Sequence, residues 1–463
     1  MQLNCRQIEQ AINPVAKAGP QDATFWLVST DTRTIAPGAL FVALVGPRFD
    51  GRSFLNEAFT KGALGAVISG PIIGQADHPI FSVQDTLVAL GNLGSSVRNQ
   101  YKLPVIAITG SNGKTTTKEL AKRILQTRHT VLASDKNFNN LIGVPQTLFL
   151  LDDYYTAVVL EMGMNHEGEI RRLTEIASPT IRLITNISAA HIGPLGTIEA
   201  IARAKGELWE NDTSSTMLIV NRDDPRVVAL AGSRPGTKIH FSIESRDAEV
   251  SCRELALLGW EGSRFLLLID GQSAIVHLRI PGVGNVSNAL AAASVGHALG
   301  IPIEEIAAAL SGSDPVDGRS QRITLAGGIE LMNDSYNANP ESMRHAIELL
   351  GALPCADHKV AILGDMRELG AYAEEAHQAL GKQIARSGIT NLFVFGEYAN
   401  QVVDAAIAAG FPHRRATVID QPEAVVDQVQ QFIQAGDRIL VKASRGVALD
   451  RVVQEFRKRS EGE

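Results

Sequence analysis

Lys114 and Thr115 follow a turn bounded by Gly110 and Gly113, and the turn follows the β-branched run Val-Ile-Ala-Ile-Thr at 105–109. Strand, glycine turn, helix is the order a phosphate cradle needs, because the backbone N–H groups of Gly110, Ser111, Asn112 and Gly113 and the positive end of the helix all face an anion. Glycine lets the backbone come close, the Lys114 ammonium would reach the terminal phosphates of ATP, and the Thr115 hydroxyl, with Thr116 beside it, would sit near Mg²⁺. The Gly-x-x-Gly-Lys-Thr spacing is shorter than the general phosphate-loop pattern, and a plain glycine turn before an amphipathic helix is the other reading. Phosphoryl transfer depends on positioning and cations rather than covalent protein chemistry, so metal-holding residues should stand at strand ends near the loop. Glu161 follows the apolar run 157–160, and His191 follows the run that begins at Ile181. Taken singly, Glu161 serves equally as a capping carboxylate and His191 as a loop histidine. Asn137, Asn139 and Asn140 cluster in a stretch of turn formers, either as turn chemistry or as contacts to a ligand.

These groups need a scaffold, and the pattern predicts an α/β one. Residues 1–83 alternate strand-like and helix-like stretches (40–45, 52–62, 65–69). The stretch 85–100 has the character of a connecting helix. From Val105 strands recur at 157–163, 181–187 and 217–221, the alternation of a parallel sheet with helical crossovers. A third alternation after residue 317 includes 359–366, a helix over 374–387, 391–396 and 437–444, which predicts a second doubly wound domain. The expected division is 1–83, 84–316 and 317–463. The 463 residues are about three domains' worth at ~150 residues each. A net charge of −7 with no basic block excludes a nucleic-acid footprint. The polar start and the lack of any apolar run of ~18 residues predict a cytoplasmic protein with no membrane insertion. Cys5, Cys252 and Cys355 have neither metal-ligand spacing nor a disulfide pattern.

The stretch TGSNGKTTTKE at 109–119 resembles the ATP loop of the Mur ligases, ATP-dependent amide-forming enzymes of peptidoglycan precursor assembly. NFNNLIGVP (137–145), LEMGMNHEGEI (160–170), TNISAAHIGPLGTIEAIARAKGEL (185–208), NDSYNANPESM (333–343), GDMRELG (364–370) and VKASR (441–445) are similar to the same family in the same order. The resemblance implies three domains: a small uridine-diphosphate-binding unit, a central ATPase sheet and a Rossmann-like ligase domain. It implies ATP and Mg²⁺, an acyl phosphate, and the branch that joins D-alanyl-D-alanine to UDP-N-acetylmuramoyl-tripeptide, working as a monomer. The branch that adds the third amino acid carries Asp-Asn-Pro-Arg, absent here, and is the near alternative; a nucleotide-switch or transport NTPase is the distant one.

Residue by residue, the resemblance implies metal ligation by Thr115, Glu161, His191 and a Lys205 carbamylated by CO₂, although a lysine there also reads as a phosphate contact or a solvated helix residue. It implies nucleotide contacts at Asn285, Asn288, Arg319, Asp334 and Asn337, with Arg319 and Arg322 otherwise linker charges. Substrate contacts are implied at Asp31, Thr32, Arg33, Asp50 and Gly51 for the uridine moiety. For the dipeptide, whose ammonium and carboxylate call for both charge signs, they are implied at Asp365, Glu368, Lys442, Ser444 and Arg445, surface salt bridges being the alternative. The chain departs from the family at Gly284, where histidine is usual before Asn285, and at Arg52, where histidine is frequent.

Overall fold

The computed structural model describes residues 2–47, 49–189, 192–232 and 234–461. His191 lies outside the described residues. Among those residues the chain forms three main sheets in sequence, each with helices packed against it. The first is a mixed sheet in the order Ala16–Ala18, Ile80–Val83, Gly65–Ser69, Ala39–Val42, Leu27–Ser29. The expected strand at 40–45 ends at Val42, and Val45–Gly46 pairs instead with Phe49–Asp50 in a short ribbon.

The central sheet runs Val131–Ala133, Ala157–Glu161, Val105–Thr109, Ile181–Ile184, Met217–Asn221, Thr237–Ser242, and is parallel throughout this part. Its strands are buried on both faces, so they read as continuous apolar runs rather than alternating ones. The chain leaves Val105–Thr109 for one side of the sheet and returns to the other, so the crevice at the carboxyl end of that strand is the topological switch point where open α/β sheets bind ligands. The sheet then continues through Val250–Leu257, Ser263–Ile269 and Gln272–Leu278, the last two antiparallel. These three strands are absent from the expected pattern. Ser263–Ile269 alternates buried and half-buried residues, the signature of a strand covered on one face.

The third sheet, in the order Gln321–Thr324, Glu330–Asp334, Arg438–Lys442, Lys359–Gly364, Asn391–Phe395, Ala416–Val418, is parallel except for its first edge strand. Its expected helix at 374–387 spans Ala373–Ile384. Helix Thr86–Arg98 packs against Cys5–Ile12 on one side and against Gly143–Leu148 and Glu169–Ala177 on the other, and so joins the first sheet's layer to the central one. Cys5 and Cys252 are buried free thiols and Cys355 is half-buried. No helix among the described residues is long and apolar enough to cross a membrane.

Candidate functional site

Helix Lys114–Leu125 starts at the carboxyl end of Val105–Thr109, and the turn between them depends on two glycines. Gly113 has φ +79°, and an added Cβ would stand 2.0 Å from Asn288 Oδ1; Gly110 has φ +149°, with Thr185 Oγ1 at 1.8 Å from the corresponding position. Only glycine meets both the backbone and the space. The turn is fastened to the end of the neighbouring strand. Ser111 N–H donates to Asn186 O at 2.9 Å, Asn112 N–H to Asn186 Oδ1 at 3.0 Å, and Thr185 Oγ1 to Asn112 O at 2.6 Å. Ser111 Oγ donates to Ser188 O at 3.0 Å and accepts from Ser188 N–H at 2.8 Å.

Thr115 opens the helix against Glu161, donating from Oγ1 to Oε2 at 2.7 Å, while Asn139 Nδ2 donates to Oε1 at 2.9 Å. Glu161 is 3% exposed. A hydroxyl in the first turn of the helix and a carboxylate at a strand end, side by side at a phosphate cradle, are hard oxygen donors, the set that suits Mg²⁺. Lys205, on helix Ile198–Gly206, is 1% exposed, with no hydrogen-bond partner for its amine among the described residues. Burial, and then the nearby Lys114 ammonium, push its pKa well below the ordinary 10.5. The amine is therefore neutral far more readily than a surface lysine, the form that reacts with CO₂. Lys114 is also held down by burial, against the pull of Glu161, and its Nζ donates to Gly110 O at 2.9 Å.

The Asn140 side chain accepts from Ile142 and Gly143 N–H groups at 3.1 and 2.9 Å, turning the chain into helix Gly143–Leu148, whereas Asn137 is exposed. Asn285 and Asn288 are linked at 3.0 Å, and Asn288 Oδ1 accepts from Thr117 at 3.4 Å, which ties helix Val283–Ala298 to the phosphate-loop helix. Nothing lies within 4 Å of a Cβ at Gly284.

A cavity of about 1100 Å³ separates this wall from the last domain. Its lining takes Ser111–Lys114, Thr116, Asn285 and Asn288 from the centre of the chain and Arg319, Arg322, Asp334, Asn337 and Lys442 from the third sheet's layer. Leu257–Glu261, the turn of the unexpected hairpin, closes one end, and Arg438 lies 5.8 Å over the Trp260 ring. The two walls touch at the loop itself. Asn112 Oδ1 accepts from Asn339 Nδ2 at 2.6 Å and Asn112 Nδ2 donates to Glu341 Oε2 at 2.8 Å. Asn339 is the N-cap of helix Pro340–Ala352. A second contact runs from Gly193 N–H to Glu368 O at 2.8 Å.

The remaining expected residues are dispersed by role. Lys442, 2% exposed, donates to Asp334 Oδ2 at 2.6 Å and to Asn337 O at 2.9 Å, and all three line the cavity opposite the glycine turn. Asp365 accepts from Glu397 and Tyr398 N–H groups at 2.8 and 3.1 Å, and Ser444 Oγ bridges Arg367 N–H and Ala338 O, so both brace loops at the strand ends. Arg445 is exposed. Arg322 pairs with Glu330. In the first layer Asp31 forms a fork with Arg33, which holds its carboxyl down to about 2. Thr32 is buried, and Asp50 caps the turn at Gly51, itself buried, by accepting from Arg52 N–H at 2.9 Å. Gln146 Nε2 donates to Thr30 Oγ1 at 2.9 Å, bringing the segment before Asp31 to the central layer. Residues that the sequence reading left aside include Asn186, Ser188, Glu341 and Trp260; no local spacing marks them, because each acts across a long sequence separation.

Residues 108–296 match the family model described as Mur ligase middle domain, and 318–445 match that described as Mur ligase, glutamate ligase domain. The UDP-N-acetylmuramoyl-tripeptide--D-alanyl-D-alanine ligase of Synechocystis sp. is 36% identical over 431 residues, covering 93% of this chain and 91% of that one. A crystal structure of MurF from Acinetobacter baumannii matches with a TM-score of 0.90 at 29% identity over 99% of both chains. The MurF ligase of Thermotoga maritima in complex with ADP matches with a TM-score of 0.83 at 26% identity, covering 94% of this chain and 98% of that one.

Proposed function

Because the chain belongs to the Mur ligase family, we infer that it forms an amide bond between UDP-N-acetylmuramoyl-tripeptide and D-alanyl-D-alanine at the expense of ATP, in peptidoglycan precursor synthesis. The observation that carries this reading is the cavity with a phosphate loop on one wall and Arg319, Asp334 and Lys442 on the other. The boundaries we assign are 1–83 for the uridine-substrate unit, 84–316 for the ATP unit and 317–463 for the amine-substrate unit. We place the enzyme in the cytoplasm, where ATP is made available, as a monomer whose nucleotide cavity is lined by one chain.

The tripeptide carboxylate attacks the γ-phosphorus, ADP leaves, and the acyl phosphate carries a leaving group that a free carboxylate lacks. The dipeptide amine, having lost a proton, attacks the carbonyl carbon and inorganic phosphate departs. The loop amides and Lys114 hold the phosphates, Lys114 exchanging its bond to Gly110 O for phosphate oxygens, and Arg319 adds positive charge from the opposite wall. The oxygen donors Thr115 and Glu161, with His191 and a carbamylated Lys205, would hold Mg²⁺, which when bound neutralises charge on the phosphates. We assign nucleotide contacts to Gly110–Thr116, Asn285, Asn288, Asp334 and Asn337. Asp31–Arg33, Asp50, Gly51, Asn137, Asn139 and Asn140 are assigned to the uridine substrate, and Glu368 and Arg445, braced by Asp365 and Ser444, to the dipeptide.

The test is ADP release with UDP-N-acetylmuramoyl-tripeptide and a panel of amines. Turnover with D-alanyl-D-alanine and none with lysine or meso-diaminopimelate is expected; robust turnover of a free diamino acid on a dipeptide acceptor would move the chain to the sister branch.

A further inference from the structure

Tyr336 does not line the cavity, yet it lies directly behind a residue that does. The Arg319 guanidinium stacks over its ring, with Cζ 4.3 Å from the centroid, and Arg445 approaches the other end, with Cζ 5.3 Å from the centroid and Nη1 donating to the phenol oxygen at 3.2 Å. Both distances fall inside the range of cation–π attraction, and a planar guanidinium gains from stacking as well. The backbone on either side of Arg319 is fastened too. Tyr336 N–H donates to Gly318 O at 3.1 Å, and Ser320 N–H donates to Asp334 Oδ1 at 3.0 Å. Gly318 has φ +70° and would bring a Cβ to 3.2 Å from Tyr336 Cβ, so the two segments pack at van der Waals distance.

With backbone and guanidinium both fixed, the direction of the Arg319 side chain is set before any ligand arrives. Its Nε is buried with no hydrogen-bond partner among the described residues, and the side chain lines the same cavity as Lys114. An arginine whose cost of orientation has already been met, facing the lysine of a phosphate loop across a cleft, stabilises developing charge without reorganising.

We propose that Tyr336 is a positioning residue: it holds Arg319 aimed at the phosphates and, through its hydroxyl, ties that arginine to Arg445 at the far side of the same loop. The proposal rests on the ligase reading above, and it links the nucleotide end of the site to the end assigned to the dipeptide. Removing the ring frees Arg319, whereas removing only the hydroxyl leaves the stack and takes from Arg445 its hydrogen bond.

The experiment compares Tyr336→Leu, Tyr336→Phe, Arg319→Ala and the Tyr336→Leu/Arg319→Ala double variant by kcat, KM for each substrate and melting temperature. Tyr336→Leu is expected to lower kcat about thirty-fold, the factor corresponding to a desolvated cation–π contact. In kcat the double variant should lose no more than Arg319→Ala alone, because the link to Arg445 bears on the KM for D-alanyl-D-alanine and the ring bears on kcat through Arg319. Tyr336→Phe should keep kcat and raise the KM for D-alanyl-D-alanine. A Tyr336→Leu enzyme with wild-type kcat, or losses that multiply in the double variant, would overturn the proposal. Should Tyr336→Leu fail to fold, Tyr336→Gln serves as the ring-less variant. A wild-type protein inert toward D-alanyl-D-alanine would sink the ligase reading instead; the arginine is then read by titration with a non-hydrolysable ATP analogue, where loss of the ring must weaken affinity as much as loss of Arg319, and unchanged affinity refutes the role.

Discussion

Replacing Asn112 by alanine removes the two side-chain hydrogen bonds that bridge the phosphate loop to the last domain, those to Asn339 and Glu341. The same change deletes the bond from Asn112 Nδ2 to Ser188 Oγ, but that bond lies within the central layer and persists whether or not the last domain swings away, so it cancels from the closure equilibrium. A neutral hydrogen bond contributes about 1 kcal/mol net, and one to a partly exposed carboxylate about 1.5 kcal/mol. Together they favour closure by about 2.5 kcal/mol, roughly a sixty-fold change in the closed-to-open ratio. Closure is read by energy transfer between dyes on the central and last domains in the presence of ADP. Cys5 and Cys252 are buried, so only half-buried Cys355 need be replaced before labelling. The Asn112→Ala protein should shift strongly toward the open state, and Glu341→Ala should shift less. The Asn112→Ala/Glu341→Ala pair should be no more open than Asn112→Ala alone, because Glu341 acts on the loop through Asn112. A closed fraction identical to wild type, or effects that simply add, would refute the latch and leave the backbone contact at Gly193 as the element that holds the domains together.

Lys205→Ala should abolish ligation while ATP still binds through Lys114, with formate or acetate restoring part of the rate; no rescue, together with an unmodified amine in an Mg-nucleotide crystal, would return Lys205 to the role of phosphate contact. Because its folded pKa is depressed, the unfolded chain binds the extra proton between that value and the ordinary 10.5, so stability rises with pH across this window. Lys205→Met in CO₂-free buffer should therefore melt higher than wild type at pH 7 and show a shallower slope, the remainder belonging to Lys114, which a melting series against pH checks. Gly284→His has open space around its Cβ and no left-handed φ, so the variant should fold normally and not raise the KM for ATP in steady-state assays. Fully buried Asp437 accepts from Asp357, His358 and Gln434 N–H groups at 2.8, 2.8 and 3.0 Å. Asp437→Ala should cost about 3 kcal/mol or more in urea unfolding, since three donors lose their acceptor.

The phosphate loop was legible from residues alone because everything it needs is local: a buried strand writes a continuous apolar run, a positive φ demands glycine, and the lysine and threonine must follow at once. Glu161 was legible for the same reason, as the first charged residue after such a run. The strands at 250–278 were missed: Phe265–Ile269 is itself a continuous apolar run, but its neighbours Val250–Leu257 and Gln272–Leu278 mix polar and apolar residues, and no helix-like stretch separates the three as it does in the parallel part. Sequence alone also grouped Lys442 with the residues expected to meet the dipeptide, by its place after a strand; its pairing with Asp334, on the parallel neighbour strand, is set by sheet register, which joins residues 108 positions apart. What only tertiary structure decided is what crosses the cavity: Asn112 against Asn339 and Glu341, and Tyr336 behind Arg319. Residue types and spacings encode which groups a strand end presents, but which strand ends face each other depends on how separate hydrophobic layers pack, and no local pattern carries that information.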